Sequence, residues 1–516
     1  MTPRIDRRAL LVAGLAGTAT ACSGTSTPKG DSSPSSPTSP ASSTAPVSQP
    51  PTAAEWDKLA RSISGSLARP ASSSYDVVRL VQNPRFDSAR PLAVLSAKSS
   101  RDVATGLAFV QDHGLPLAVR SGGHSYPGWS AGNKALVIDV RPMNRITLDG
   151  TSATIGAGTP LVDVYSTLGQ QGRGIAAGSC PTVGIAGLSQ GGGVGVLTRE
   201  HGLTCDAVTA MEVVLADGRV VTADKDTEPD LYWALRGGGG GHLGVVTSFT
   251  TDTFQAPTIT RAYLAWPLAA ARDVVPAWLA AMPKADRKLW STLKLLGGAT
   301  HTSGPVMFVS ATWTGSPSAM DAALQPLLGN VPSPTTDSRN TQSMVDTMLS
   351  FAGCSSIPVA QCHTGPGGSL QREAFAATSH IITGQDADVD AMLDRVEAAQ
   401  GSGLTEAGLS LDSLGGAVDD LGASDTAFGH RGAVASVQYT ATYAGGPAAP
   451  AVSYVRGFRR AMTPSWGTGA YVNYADARMS DYMTNYFADN ADRLAQVKEA
   501  YDPHGLFTQP QDYEQG

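Results

Sequence analysis

The chain has 516 residues, 42% of them hydrophobic and 16% charged, with a formal net charge of −7. That length allows two or three domains of ~100–200 residues each, and the apolar fraction supports a packed core, which excludes a disordered chain. No Lys/Arg run marks a nucleic-acid footprint, no apolar stretch reaches the ~20 residues of a bilayer span, and five cysteines cannot staple a chain this long as a disulfide scaffold. The 57 glycines, about one residue in nine, exceed the usual ~7% and need explaining by where they fall.

Residues 1–21 read as an export signal. Arg4, Arg7 and Arg8 form a positive start, residues 9–20 are mostly apolar, and Ala19-Thr20-Ala21 are small. Arg7-Arg8 followed by Leu10-Leu11 resembles a twin-arginine signal, which routes folded proteins; the alternative is an ordinary secretory signal. Cys22 could carry a lipid, although Ala19 stands where lipoprotein signals usually have Leu, and Ala19-Thr20-Ala21 also suits simple cleavage. Residues 22–54 are nearly all Ser, Thr, Pro and Ala, a composition that buries nothing and makes a mobile tether. A tether behind a lipid favours a surface lipoprotein over a secreted protein. Membrane contact is expected only through Cys22, and folded sequence is expected from Glu55.

Residues 92–96 predict a strand. Residues 99–113 predict a helix with Val103, Leu107 and Val110 on one face, stopped by Gly114. Strands follow at 117–120 and 136–140, and strand–helix–strand alternation is expected to continue to about residue 254, giving a first domain over 55–254. From 255 to 465 glycines thin out. A helix is expected over 388–399, and residues 434–443 alternate, with Val437, Tyr439, Ala441 and Tyr443 on one face. This predicts a second domain whose sheet is covered on one side by helices. A last segment, 466–516, holds a helix from near Asn490 that buries Leu494, Val497 and Tyr501 and stops at Pro503. The expected class is α+β.

Three glycine-rich loops follow strands: Arg120-Ser121-Gly122-Gly123-His124-Ser125-Tyr126, residues 174–195 with eight glycines, and Arg236 through five glycines to His242. Adjacent glycines let successive N–H groups converge on one anion, so three such loops suggest a long ligand with a diphosphate. None has the Gly-Lys-Ser/Thr of a P-loop, and GGGVG alone is a weak dinucleotide fingerprint, so glycines that serve only the loops stay open at this point. Without C-x-x-C or H-E-x-x-H, and with His201 alone, no metal site is expected.

RSGGHSY, GSCPTVGIAGLSQGGGVG, DLYWALRGGGGGHLGVVTSF and YVNYAD with RLAQVKEAYDPHGLF, in that order from about residue 91 to 507, resemble the berberine-bridge-enzyme-like FAD-linked oxidases. The resemblance implies a flavin domain of the vanillyl-alcohol-oxidase type, a substrate domain with an antiparallel sheet, and a C-terminal segment returning to the flavin domain. It implies FAD bonded covalently through its 8α-methyl to His124 and through C6 to Cys180. Residue chemistry agrees, since a neutral imidazole and a thiolate are both competent nucleophiles; the alternatives are a loop histidine and a buried thiol. Arg120, Ser121, Gly122, Gly123 and Ser125 would hold the diphosphate, with backbone around Thr182, Gly184, Gly187 and Gly192. Asp206, Val246 and Asn473 match flavin-contacting positions. Val183 matches a position where a small valine leaves oxygen room beside the flavin, which points to an oxidase.

Tyr471 would be the base that takes a hydroxyl proton while hydride passes to the flavin, and Asp412 would assist that tyrosine. A strand tyrosine in the core and a turn carboxylate are the alternatives. The sequence departs from the family at His242, where Asn is usual, and at Gly429, where Pro is usual and where glycine is expected to loosen a turn. The reaction implied is alcohol to carbonyl or lactone, with O2 reduced to H2O2 and a carbohydrate as the leading small-molecule substrate, in a monomer. Oxidation of a glycosylated or polyketide metabolite is the rival, and a non-catalytic flavin-binding lipoprotein is the reading from another class. Trp290 and Trp313 could stack sugars or sit in the core. Cys354 and Cys362 are close enough to pair, and Cys205 is expected to be a buried thiol.

Overall fold

The Thr52 hydroxyl accepts the Glu55 N–H, and the Glu55 carboxylate accepts the Thr52 N–H. This capping box starts the helix Ala53–Ser62 two residues before the expected Glu55. The structure, a computed structural model, describes residues 50–513. The export signal, Cys22 and almost all of the tether lie outside the described residues.

Four strands follow: β1 (Ser66–Ala68), β2 (Ala93–Ser96), β3 (Leu117–Arg120) and β4 (Leu136–Asp139), in the order β1-β2-β4-β3. β2, β4 and β3 run parallel. The helix Ser100–His113 makes the crossover from β2, capped by the Ser99 side chain and ended by Gly114 in the left-handed region. Val103, Leu107 and Val110 are buried as their spacing requires.

The expected strand–helix–strand alternation is interrupted after β4. β5 (Ile146–Asp149) and β6 (Ser152–Gly156) are joined by only Gly150 and Thr151, with Gly150 at φ 60°. A two-residue turn can join only antiparallel strands, whereas a parallel neighbour needs a long crossover. After β7 (Arg173–Gly174), the strands β8 (Val208–Val214), β9 (Val220–Asp224) and β10 (Val245–Asp252) complete an antiparallel sheet in the order β5-β6-β10-β8-β9. Helices still stand between β6 and β7, β7 and β8, and β9 and β10. β11 (Phe254–Gln255) pairs with β7.

The seven remaining strands are β12 (Thr258–Trp266), β13 (Leu289–Gly297), β14 (Val306–Trp313), β15 (Thr336–Ser343), β16 (Ala374–Ile382), β17 (Glu406–Ser413) and β18 (Ala435–Tyr443). They form one antiparallel sheet in the order β15-β12-β14-β13-β17-β18-β16. Alternation gives it two unlike faces. Leu293, Leu295, Leu409, Leu411, Val437 and Tyr439 pack into one core with residues of the helices Ala271–Ala281, Val389–Glu397 and Ala449–Trp466. Each such side chain contributes about 1.5–3 kcal/mol on burial. The other face is polar and set by register: Thr292 opposite Asp412 opposite Ser436, and Lys294 opposite Ser410 opposite Gln438.

Trp290 and Trp313 are only 5% and 6% exposed, so neither is a sugar platform. Cys354 and Cys362 are disulfide-bonded, and Cys205 is a buried free thiol. In the C-terminal segment, the helix Ala491–Tyr501 buries Leu494 and Val497, while Tyr501 stays partly exposed and donates to Glu228. His242 Nδ1 lies 3.0 Å from Asp512 and Lys498 donates to the His242 carbonyl, which ties residues 498–512 to the third glycine loop. Gly429 is not a loosened turn. A Cβ there would stand 2.4 Å from the Phe487 carbonyl oxygen, so close backbone approach requires glycine and bars proline.

Candidate active site

The first two glycine loops lie back to back. A Cβ on Gly122 would fall 2.2 Å from the Gly184 nitrogen, and one on Gly184 would fall 2.0 Å from the Ser121 oxygen. Gly123, at φ 75°, takes the left-handed conformation that glycine favours and that turns the first loop. The N–H groups of Gly122, Gly123, His124 and Ser125 donate to no acceptor among the described residues. Four consecutive unpaired donors, three of them on partly exposed residues and that of Gly123 on a buried one, form an anion cradle that suits a diphosphate.

His124 Nε2 sits 2.8 Å from the Thr182 hydroxyl, linking the first loop to the second. Burial pushes the imidazole down to about 4, so it is neutral at neutral pH. Cys180 stands two residues before Thr182 and reaches solvent. Its thiol is nonetheless ringed by enough protein that burial raises its pKa, with Lys294 opposing and Asp412 adding.

Tyr471 is 2% exposed, and its phenol oxygen accepts the Gly193 N–H at 2.8 Å and the Asn473 side-chain N–H at 2.9 Å. Burial pushes this phenol up to about 12, and the two donors oppose that rise. Both donors point at the oxygen, which is the arrangement that holds a phenolate and leaves the hydroxyl proton free to point elsewhere. Gly192, at φ 120°, brings its backbone so close that a Cβ would stand 3.5 Å from that oxygen. Asn473 is fixed by a second bond to the Leu188 carbonyl and fills the space a Gly191 side chain would need.

Asp412 makes no direct hydrogen bond to Tyr471 among the described residues. It projects from the polar face of β17 beside Thr292 and Lys294, and burial raises its carboxyl against the opposing effect of both. Its charge acts on Tyr126 and Tyr474. These two rings stack with centroids 5.2 Å apart, and Tyr474 meets Tyr471 edge-on at 5.0 Å. Gln438 donates to the Tyr126 hydroxyl. A wall of Tyr126, Tyr474, Gln438, Lys294 and Asp412 thus lies beside Cys180 and Tyr471.

Two other expected contacts are made differently. Arg120 is 1% exposed, pairs with Asp139 at 2.9 Å and donates to the Val78 and Arg79 carbonyls, so its guanidinium cannot reach a diphosphate. Asp206 accepts from Arg431 on both oxygens and from the Leu203 N–H, so its carboxylate is held by protein. Among the rest, the Ser121 hydroxyl donates to the Ala157 carbonyl, and Ser125 accepts the Trp129 N–H. Val183 is partly buried, Val246 is buried in β10, and Gly187 is exposed with open space beside it. Tyr126, Tyr474, Lys294 and Gln438 went unassigned in the sequence. The tyrosines lie inside RSGGHSY and YVNY, but nothing local marks the lysine or the glutamine.

Residues 91–224 match the family model described as FAD binding domain, and residues 470–512 match the one described as berberine and berberine like. The uncharacterized FAD-linked oxidoreductase YvdP of Bacillus subtilis is 31% identical over 437 residues, spanning 83% of this chain and 93% of that relative. The chain belongs to the berberine-bridge-enzyme-like FAD-linked oxidoreductases. This FAD-linked oxidoreductase is also 30% identical to the xylooligosaccharide oxidase of Thermothelomyces thermophilus, over 82% of this chain and 86% of the relative. The solved structure of Physcomitrella patens BBE-like 1 superposes with a TM-score of 0.80 at 25% identity, covering 89% of this chain and 99% of that one. The cradle of unpaired N–H groups lies within the matched FAD-binding region, and Tyr471 and Asn473 lie within the berberine-like match. Among the described residues no helix is long and apolar enough to cross a membrane, and no His/Cys/Asp/Glu group could hold a metal.

Proposed function

We propose that this oxidoreductase oxidises a carbohydrate hydroxyl to a carbonyl or lactone, with O2 as the final acceptor and H2O2 as product. The observation that carries this reading is the Tyr471 phenol, held by two donors beside the polar, sugar-compatible wall of Asp412, Lys294 and Gln438. The resemblance to proteins named xylooligosaccharide oxidase and chitooligosaccharide oxidase supports it. FAD, when bound, supplies hydride acceptance and transfer of electrons to oxygen. The chain's residues do the rest: Tyr471 takes the hydroxyl proton, and Asp412, with Lys294 beside it, sets the charge around Tyr126 and Tyr474.

His124 and Cys180 are the residues for covalent attachment. The Nδ1 of His124 has no partner among the described residues, and the neutral ring suits a nucleophile. In the same proposal, residues 55–254 and 466–516 serve the flavin and 255–465 the substrate, in an exported monomer released or held by a lipid on Cys22.

Acid precipitation and a peroxide assay over a saccharide panel test this. The pellet should stay yellow and neutral or modified saccharides should yield peroxide. A yellow protein that makes no peroxide from any saccharide would remove the carbohydrate-oxidase reading.

A further inference from the structure

The Asp206–Arg431 ion pair stands behind Tyr471. Its side chains are 9% and 4% exposed, and the two bonds are 2.7 and 2.9 Å. Arg431 also donates to the Val418 carbonyl and the Thr426 hydroxyl, which fixes its fork in place. Two paths lead from it to the phenol. Along the first, Asp206 accepts the Leu203 N–H and closes the turn Thr204–Ala207. That turn grips the second glycine loop, because the Cys205 N–H donates to the Gly192 carbonyl and Thr204 donates twice to the Gly193 carbonyl. Gly193 then presents its N–H to the Tyr471 oxygen. Along the second, the guanidinium lies 5.2 Å from the Phe428 ring centroid, and Phe428 meets the Tyr471 ring edge-on at 6.1 Å.

We propose that Arg431 is a positioning residue that, through Asp206 and Phe428, holds the Gly193 N–H and the Tyr471 ring in the geometry that makes the phenol a usable base. This rests on the reading of Tyr471 as the base. Gly192 and Gly193 have φ values of 120° and 95°, so this segment has wide conformational freedom and needs an external clamp to keep one N–H aimed. A well-aimed donor stabilises the phenolate far more than the phenol. Without the clamp the donor wanders, and the base forms only at higher pH.

The other titratable groups around the phenol are Cys205 from the 204–207 turn, Tyr474 from its own loop and Tyr126 beyond it, with His430 edge-on to Phe428. Burial keeps all four uncharged at neutral pH. The charged groups nearby are Asp206 and Arg431 themselves, Arg236 acting on Cys205, Asp419 acting on Arg431, and Asp412, with Lys294 opposing it, acting on Tyr126 and Tyr474.

The experiment is rapid-mixing flavin reduction by a saccharide that the enzyme oxidises, from pH 6 to 11, on purified yellow holoenzyme. Arg431→Gln should slow reduction ~10–100-fold at neutral pH, as expected for one lost charge-assisted bond. The rate should recover at alkaline pH, so the profile moves upward by about one pH unit or more, while the saccharide concentration for half-maximal rate stays put. Arg431→Lys, which keeps the charge but not the fork, should restore part of the shift. If Arg431→Gln does not accumulate folded, Arg431→Lys and Asp206→Asn carry the same measurement. An unmoved profile in these variants, with Tyr471→Phe slow, overturns the role of Arg431 alone. Normal reduction in Tyr471→Phe overturns both it and the reading beneath it.

Discussion

The imidazole of His124 meets the hydroxyl of Thr182 at 2.8 Å. This contact joins two loops almost sixty residues apart in the chain and places Cys180, two residues from Thr182, on the same cradle. It also occupies Nε2, so the attachment proposed for His124 would use Nδ1.

Covalent attachment should follow that geometry. His124→Ala and Cys180→Ala should each keep colour in an acid-precipitated pellet, because one bond remains, and only the double variant should release its flavin. Thr182→Val should retain colour but attach flavin more slowly, since it frees the ring to rotate. A colourless pellet from the unmodified protein would refute both bonds at once.

Tyr471→Phe removes the proposed proton acceptor while keeping the ring that packs against Phe428 and Tyr474. Flavin reduction should fall ~10²–10⁴-fold, the usual contribution of a general base, with the visible spectrum of the oxidised flavin preserved. Asp412→Asn should have a milder effect, because its carboxylate reaches Tyr126 and Tyr474 and not Tyr471. Equal losses in the two variants would contradict the arrangement described.

Acid sensitivity should trace in part to His380, wholly buried on the helix-covered side of β16. Burial, with the Arg459 charge, pushes its imidazole down to about 3. The folded protein therefore binds fewer protons than the unfolded chain, so this stability is present above pH ~6.5 and is lost as pH falls toward 3. By about pH 4.5 the loss should reach roughly 2–3 kcal/mol. Thermal melts of His380→Gln between pH 7 and 4 should show a shallower decline than the parent; parallel declines would rule His380 out.

Gly429→Ala should cost about 1–3 kcal/mol, the usual range for forcing an atom into packed space, because its Cβ would strike the Phe487 carbonyl. Denaturant melts would register this as a lower midpoint with an unchanged slope. Proline should be worse. An unaffected midpoint would mean that the 426–432 loop shifts freely, which would also weaken the case for Arg431 as a clamp.

The sequence by itself determined the elements whose forces are local and the family. Residues 100–113 form a helix because Ser99 caps one end, Gly114 ends the other and the apolar residues recur at helical spacing. The glycine loops, His124, Cys180 and Tyr471 were legible as candidates because they sit in contiguous motifs. Only the tertiary structure decided what those motifs face. Local pattern did not reveal that β5 and β6 would turn back as a hairpin, since a short apolar run carries no information about its partner. Arg120 and Asp206 looked like ligand contacts, yet each meets an opposite charge from distant sequence, and a buried charge takes the nearest compensating partner. Lys294 and Gln438 are ordinary alternating strand residues until the register of β13, β17 and β18 sets them opposite Ser410, in the row next to Asp412 on the same face. Register is fixed by the burial of the opposite face, so the chemistry of the polar wall depends on the packing of an apolar core that none of its residues touches.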